Sequence, residues 1–237
     1  MSFAAGAGLF LPYRSLPLAG DGAAMAATCA AMAEALIDRL RSRLGLRMGP
    51  VSAQDPMCNA LVAALRRYGW DVGTLPAGHA FVVALPDTVP KFERINAGLV
   101  RRINYYERRL HRAGKPDIVR YGGSGGSDWE LILSRVAAIE QNSWVAKNNG
   151  TMLFAIPTAR RFWDKVLSDE FLSSCVTIWL LYLDGRPISF SCGLDIGNVK
   201  FILANLYDEA FKTYRCGNIL TRHVLTGAIE GGQRRVD

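Results

Sequence analysis

Residues 175–206 constrain the fold more than any other stretch. Three runs rich in β-branched and aromatic residues follow one another closely: Cys175–Leu183, Pro187–Leu194 and Val199–Leu206. Asp184-Gly185 lies in the first gap and Gly197-Asn198 in the second. Such pairs adopt the positive φ angles of tight hairpin turns, so the runs are predicted to form an antiparallel meander. Val199–Leu206 is mostly apolar, which predicts a strand covered on both faces. A polar, aromatic loop, Tyr207–Cys216, follows it. A helix led by Gly217 and Asn218 comes next, and Gly231-Gly232 ends it. A helix N-terminus carries unpaired N–H groups and partial positive charge, so it can hold an anion. Gly217 would let a phosphate approach the backbone. Many strand–loop–helix units bind nothing, so this pattern alone leaves a purely structural role open.

The other elements are read from periodicity and caps. Leu9–Leu18 reads as an extended piece interrupted by Pro12 and Pro17. Met25, Cys29, Met32, Leu36, Leu40 and Leu44 hold helical spacing. Asp55-Pro56 caps a second helix whose apolar face is Cys58, Leu61, Val62, Leu65 and Tyr68. His79–Leu85 reads as a buried strand. Phe92, Ile95, Leu99, Ile103, Tyr106 and Leu110 predict one long helix, stopped at Gly114-Lys115-Pro116. Asp117–Tyr121 is a short strand. Gly122–Trp129 lacks the spacing of either common phosphate loop, so it reads as a turn ending in a Ser127 or Asp128 cap. Trp129, Ile132, Val136 and Ile139 mark the next helix. Thr158 is the expected cap of another, running to Leu172, and Arg234–Asp237 begins a last strand.

Composition narrows the function classes. At 50% hydrophobic over 237 residues, the chain can bury a substantial core. Its five cysteines are scattered and form no C-x-x-C, which speaks against a disulfide framework or a structural zinc site. His79, His111 and His223 show no ligand spacing, so no metal is expected. No signal-peptide pattern and no apolar run near the roughly 20 residues of a membrane span occur, so a cytoplasmic protein is expected. The net charge is +7, and residues 88–115 carry eight basic side chains against two acids. That basic face, with Tyr105 and Tyr106, could contact RNA, or it could simply be solvated.

From Asp117 the order is strand, helix, helix, three antiparallel strands, anion loop, helix, strand. This resembles the GNAT acetyltransferase fold. The stretches EQNSWVAKNNG (Glu140–Gly150), LDGRPISFSCGL (Leu183–Leu194) and LYDEAFKTYRCGNIL (Leu206–Leu220) are similar to a GNAT branch of CelD-like and Fem-type proteins. The resemblance implies an α/β (α+β) fold with a mixed, largely antiparallel sheet flanked by helices. It implies a partial GNAT-like lobe at 1–87, a basic linker helix at 88–116 and the acyltransferase domain at 117–237. Where that branch commonly has Ser-Pro-Gly, this chain has Arg215-Cys216-Gly217. The family fold continues with a further helix and strands, often bearing a tyrosine that protonates the thiolate. On this resemblance the sequence to Asp237 is expected to be a fragment, to be completed by a partner, or to be inactive.

The activity implied is transfer of an acetyl or other acyl group from acetyl-CoA or acyl-CoA to an amine, with no metal. The acceptor would be a small molecule or a glycan precursor of the envelope or an exopolysaccharide. A Fem-like transfer from aminoacyl-tRNA, with the basic helix as RNA contact, is the alternative, and a non-catalytic module is a third reading. An ammonium is no nucleophile, so a proton acceptor is needed. Glu140 is the first candidate and Asp208 the second. Amides near Ala204, Asn205 and Leu206 would hold the thioester carbonyl, as oxyanion stabilisation requires. Tyr214, Arg215, Gly217 and Asn218 would hold the diphosphate, and Trp144 and Lys147 would line the acceptor pocket. Cys216, near a helix start, is a further candidate nucleophile if its pKa is lowered.

Overall fold

The computed structural model describes residues 4–5, 22–40, 45–47, 51–76, 82–122, 128–148, 150 and 152–237. The chain divides into two compact units, Met1–Ala80 and Phe81–Asp237.

The first unit contains strand β1 (Ala4–Ala5), helix α1 (Gly22–Leu40), strand β2 (Leu46–Arg47) and helix α2 (Pro56–Arg67). The two strands pair in parallel. Asp55 caps α2 as predicted, its Oδ1 accepting the Cys58 N–H at 2.7 Å, with Pro56 in the first turn. Cys29 and Ala33 of α1 pack against Leu61, Ala64 and Leu65 of α2. The extended piece Leu9–Leu18 lies outside the described residues, and so does much of the stretch expected to form a partial second lobe.

The second unit runs β3 (Val83–Ala84), α3 (Val89–Ile95), α4 (Ala97–Ala113), β4 (Pro116–Gly122), α5 (Trp129–Gln141), α6 (Trp144–Lys147), α7 (Pro157–Ser168) and α8 (Glu170–Cys175). Then come β5 (Val176–Leu183), β6 (Arg186–Ile196), β7 (Val199–Tyr207), a 3-10 turn (Glu209–Tyr214), α9 (Cys216–Glu230) and β8 (Arg235–Val236). The sheet order is β3-β8-β7-β6-β5-β4. Among the described residues of this sheet, only the β7–β8 pair is parallel. The mixed, largely antiparallel sheet with flanking helices is the architecture anticipated. Asp184 and Gly185 take φ values of 50° and 80°, and β5–β6–β7 form the expected meander.

On one face of the sheet, α4 and α9 share a core. Ile103 and Leu110 meet Ile219, Leu220 and Val224 over Leu181 and Ile188. Phe92 of α3 extends that core toward Ala228, Ile229 and Val236. The segment expected as a linker thus packs along α9. Adjacent strand residues point to opposite faces, so Leu180 and its partner Phe190 face away from α9. There Phe154 stacks on Trp163 at 5.0 Å and meets Phe190 edge-on at 5.5 Å.

Four local expectations need correction. Of His79–Leu85, residues 79–81 are outside the described set, and the strand is Val83–Ala84. Val82 and Val83 are exposed and only Leu85 is buried, because β3 is the edge strand beyond β8. The long basic helix is two helices broken at Asn96, whose Nδ2 bonds the Phe92 carbonyl at 2.9 Å. Thr158 lies inside the first turn of α7, not at its cap, and Asp169 ends α7 and caps α8. β7 is not covered on both faces. Lys200 and Leu206 are its buried residues, and Lys200 is neutralised by Asp195 at 2.7 Å with Thr177 accepting at 2.8 Å.

Candidate active site

Two features of the sheet converge beside the start of α9. The first is a parted edge. β8 pairs with β7 at Val199↔Arg235 and Lys200↔Val236, and the Ile202 N–H reaches the Asp237 carbonyl at 2.8 Å. From Leu203 to Tyr207 that edge of β7 has no strand partner among the described residues. A register shift at Cys192/Gly193 leaves Leu203 unpaired with β6. It needs a glycine, because a Cβ on Gly193 would sit 2.4 Å from the Phe201 carbonyl oxygen.

The shift decides which amides face outward. The Asp208 N–H bonds the Ile188 carbonyl at 2.9 Å. Antiparallel alternation carried back along β7 turns the Leu206 and Ala204 amides toward β6, and those of Tyr207 and Asn205 toward the free edge. Of the three residues Ala204–Leu206, Asn205 is the one whose amide faces the open side.

The second feature is the uncapped start of α9. Arg215 precedes the helix at φ 56°, ψ 41°, in the left-handed region, and no side chain caps it. Asn218 and Ile219 both donate to the Arg215 carbonyl, at 2.9 and 3.2 Å. The amides of Cys216 and Gly217 have no acceptor on another described residue, and of the two only Gly217 is partly exposed, Cys216 being fully buried. The Asn205 side chain crosses from β7, its Nδ2 donating to Thr221 Oγ1 at 2.6 Å and to the Gly217 carbonyl at 3.3 Å. Gly217 lies close beneath it, since a Cβ there would be 3.3 Å from Asn205 Oδ1. Asn218 and Thr221 also line a cleft of about 230 Å³ toward α3 and α4, rimmed by Arg102 and Arg222. A second cleft of about 290 Å³, between α4, β4 and α9, contains none of the expected site residues.

Free amides, a positive helix end and a glycine that admits close approach fit a diphosphate. Arg215 and Lys212 are exposed and form no ion pair among the described residues. Tyr214 is held from α4: the Arg109 guanidinium lies 5.8 Å from its ring centroid, and Arg109 Nη1 donates to the Thr213 carbonyl at 3.3 Å. Tyr214, Arg215, Gly217 and Asn218 are therefore together at one turn, with Asn205 beside them. Sequence reading missed the Arg109 contact, because a basic helical face gives no sign of which arginine is engaged.

The two carboxylates are elsewhere and occupied. Glu140 is fully buried. Its Oε1 accepts the Leu153 N–H at 2.7 Å, and its Oε2 accepts those of Phe154 and Ala155 at 2.8 Å each. It closes the α6–α7 connection and has no solvent-facing oxygen for an amine to reach. Asp208 pairs with Arg186 at 2.6 Å through Oδ2 and caps the 3-10 turn through Oδ1, accepting the Ala210 N–H at 2.9 Å. One backbone bond, from Glu209 N–H to the Asn142 carbonyl at 3.1 Å, joins the two regions. Through it the α5–α6 corner stands beside the end of β7. Trp144 is 51% exposed on that corner, and Lys147 is exposed too.

The nucleophile reading of Cys216 fails. Its thiol is buried with Sγ near the Phe211 carbonyl, and burial pushes its pKa up to about 12. Among the described residues, no group of three or more His, Cys, Asp or Glu could hold a metal ion. No described helix is long and apolar enough to cross a membrane.

No curated protein matches the sequence. Among solved structures, the chain is similar to the C-terminal domain of a putative lysylphosphatidylglycerol synthetase from Agrobacterium fabrum. The TM-score is 0.56 and the identity 14%, covering 87% of this chain and 58% of that one. It is also similar to the ribosomal-protein-S18-alanine N-acetyltransferase of Escherichia coli, at TM-score 0.37 and 13% identity over 50% of this chain and 63% of that one. The chain thus spans less than two thirds of either protein's length. The PaiA N-acetyltransferase of Thermoplasma acidophilum, solved with coenzyme A, matches at TM-score 0.35 and 12% identity, over 50% of this chain and 75% of that one. The family model described as the acetyltransferase (GNAT) domain matches residues 98–237. With more than half of its length under that model, the chain belongs to the GNAT acetyltransferase domain family.

Proposed function

We propose that this chain transfers an acetyl or other acyl group from acyl-CoA to an amine, with the CoA diphosphate at the first turn of α9. The observation that carries the reading is the partly exposed, acceptor-free amide of Gly217 next to the bare edge of β7. Acyl-CoA supplies the activated thioester: a neutral amine attacks its carbonyl carbon, the C–S bond breaks, and CoA leaves as the thiol, the amine's proton passing through solvent to the departing thiolate. Gly217 holds the diphosphate through its N–H group, and Arg215 adds positive charge. The outward amide of Asn205 is the donor for the acyl carbonyl oxygen as negative charge develops there.

Glu140 and Asp208 take positioning roles in this reading. Their oxygens are engaged by backbone amides and Arg186, so they shape the α5–α6 corner and the turn after β7. Trp144 and Lys147, exposed on that corner, border the acceptor. The resemblance to CelD-like and Fem-type proteins suggests the acceptor class, an amine on an envelope or exopolysaccharide precursor.

Thermal unfolding in the presence of acetyl-CoA tests the reading. At a hundredfold excess over Kd, a ligand specific for the native state adds about 2.7 kcal/mol of stability, a shift of several degrees. Acetyl-CoA at millimolar concentration is expected to raise Tm and to give saturable heat in calorimetry. No shift and no heat would remove CoA as the donor.

A further inference from the structure

We infer that Arg109 is a positioning residue for the CoA site, acting by holding the turn ahead of α9 and not by touching the ligand. The inference rests on the proposed diphosphate site. Arg109 belongs to α4, yet its Nη1 donates to the Thr213 carbonyl at 3.3 Å. Its guanidinium carbon lies 5.8 Å from the Tyr214 ring centroid and 5.9 Å from that of Tyr105. Thr213 and Tyr214 close the 3-10 turn, and the next residue is Arg215 in the left-handed region.

Non-glycine residues enter that region rarely, so the turn needs support from outside. Inside the turn, the Ala210 N–H donates to Asp208 Oδ1 at 2.9 Å, the Phe211 N–H to the Asp208 carbonyl at 2.9 Å, and, at its end, the Arg215 N–H to the Lys212 carbonyl at 3.2 Å. Arg186 of β6 lies 5.2 Å from the Phe211 ring centroid, and Arg109 supplies the tie at the Thr213–Tyr214 end from α4. A planar guanidinium can stack between two rings and still donate along its edge, which an ammonium cannot. The other arginines of α4 (Arg101, Arg102, Arg108 and Arg112) make no ion pair or ring contact among the described residues. The consequence is specific. With the turn held, Arg215 stays in place, and the partly exposed Gly217 amide stays free for an anion.

The test is calorimetry on the full chain with CoA and, separately, with 3′-dephospho-CoA. Wild type, Arg109→Ala and Arg109→Lys are compared, with thermal unfolding of each. Loss of one hydrogen bond and the ring contacts predicts about tenfold weaker binding for Arg109→Ala. Arg109→Lys is expected to weaken binding to the same degree, both ligands are expected to lose affinity in the same ratio, and Tm should stay within a few degrees of wild type. Full rescue by lysine, or a loss confined to CoA, would mean direct charge contact with the ligand and overturn the inference. Unchanged affinity in Arg109→Ala, or unfolding of both variants, would overturn it as well. Absence of binding by wild type is a separate result, since it removes the proposed CoA site itself.

Discussion

The Asn205 amide joins the free edge of β7 to the first turns of α9 through Thr221, its Nδ2 donating to the Thr221 hydroxyl at 2.6 Å. That hydroxyl in turn donates to the Gly217 carbonyl at 2.8 Å. Asn205 Oδ1 is buried without a hydrogen-bond partner among the described residues. A buried orphan acceptor costs about 1–3 kcal/mol, so this side chain trades stability for geometry. Replacement by alanine removes the orphan along with the two bonds, and Tm is expected to change little. CoA affinity is expected to fall several-fold, because the turn loses its tie. Asn205→Asp should be worse, since a carboxylate cannot donate to Gly217 and repels a diphosphate. Titration calorimetry of both variants checks the order.

Glu140→Gln tests the clamp on the α6–α7 connection. The amide keeps the shape but turns an N–H₂ group toward backbone donors at Leu153, Phe154 and Ala155. Hydrogen bonds to a charged acceptor contribute more than neutral ones, so the loss is expected to be about 3 kcal/mol, read by urea unfolding. CoA affinity should hardly move in the folded fraction. A stable Glu140→Gln variant would show that the buried carboxylate does little for the fold.

How much was legible in the sequence follows from where each signal is stored. The meander was visible because Asp184 and Gly185 write their own turn into the chain. The Asp55 and Asp128 caps were visible for the same local reason. The break at Asn96 was hidden because apolar spacing continues across it. Glu140 read as a candidate proton acceptor because its partners are amides 13–15 residues away, which carry no side-chain signature. Lys200 was lost inside an apolar run, and its burial depends on Asp195 across a hairpin. The residues proposed for the anion site were singled out from the Gly217 pattern, and the fold places Tyr214, Arg215, Gly217 and Asn218 at one turn. The tie from Arg109 spans 104 positions and exists only in the fold.

Stability at acid pH should report the contact between α4 and α9. Burial raises the pKa of Glu107. The hydrogen bond from His223 and the charges of Arg222, His223 and His111 outweigh it and hold the carboxyl below its ordinary value. A carboxyl lowered in the folded state contributes stability above its unfolded pKa, and that contribution is lost as pH falls through the folded value. Arg222 bonds Glu107 at 3.3 Å and Glu93 at 2.6 Å. Arg222→Gln is therefore expected to cost the most stability near neutrality, with the cost shrinking as pH falls through the Glu107 value, and to move the acid-unfolding midpoint to higher pH. An unchanged midpoint would mean that the network does not couple to folding.

Thiol labelling checks the reading of Cys216. Cys29, Cys58, Cys192 and Cys216 are buried, and Cys175 is partly exposed. Burial pushes Cys192 and Cys216 to about 12 and Cys58 to about 11. The thiolate is the reactive form, so iodoacetamide at neutral pH should modify Cys175 well ahead of the other four in the native protein. Peptide mapping that found Cys216 labelled as fast as Cys175 would restore it as a candidate nucleophile.

The most direct test of the diphosphate site is the behaviour of two backbone amides. Proton–nitrogen NMR spectra of the labelled chain, titrated with CoA, follow every N–H at once. The Gly217 resonance is predicted to show the largest shift, with Asn205 next. Saturable CoA binding that leaves Gly217 and Asn205 unshifted would contradict the site, whatever the affinity.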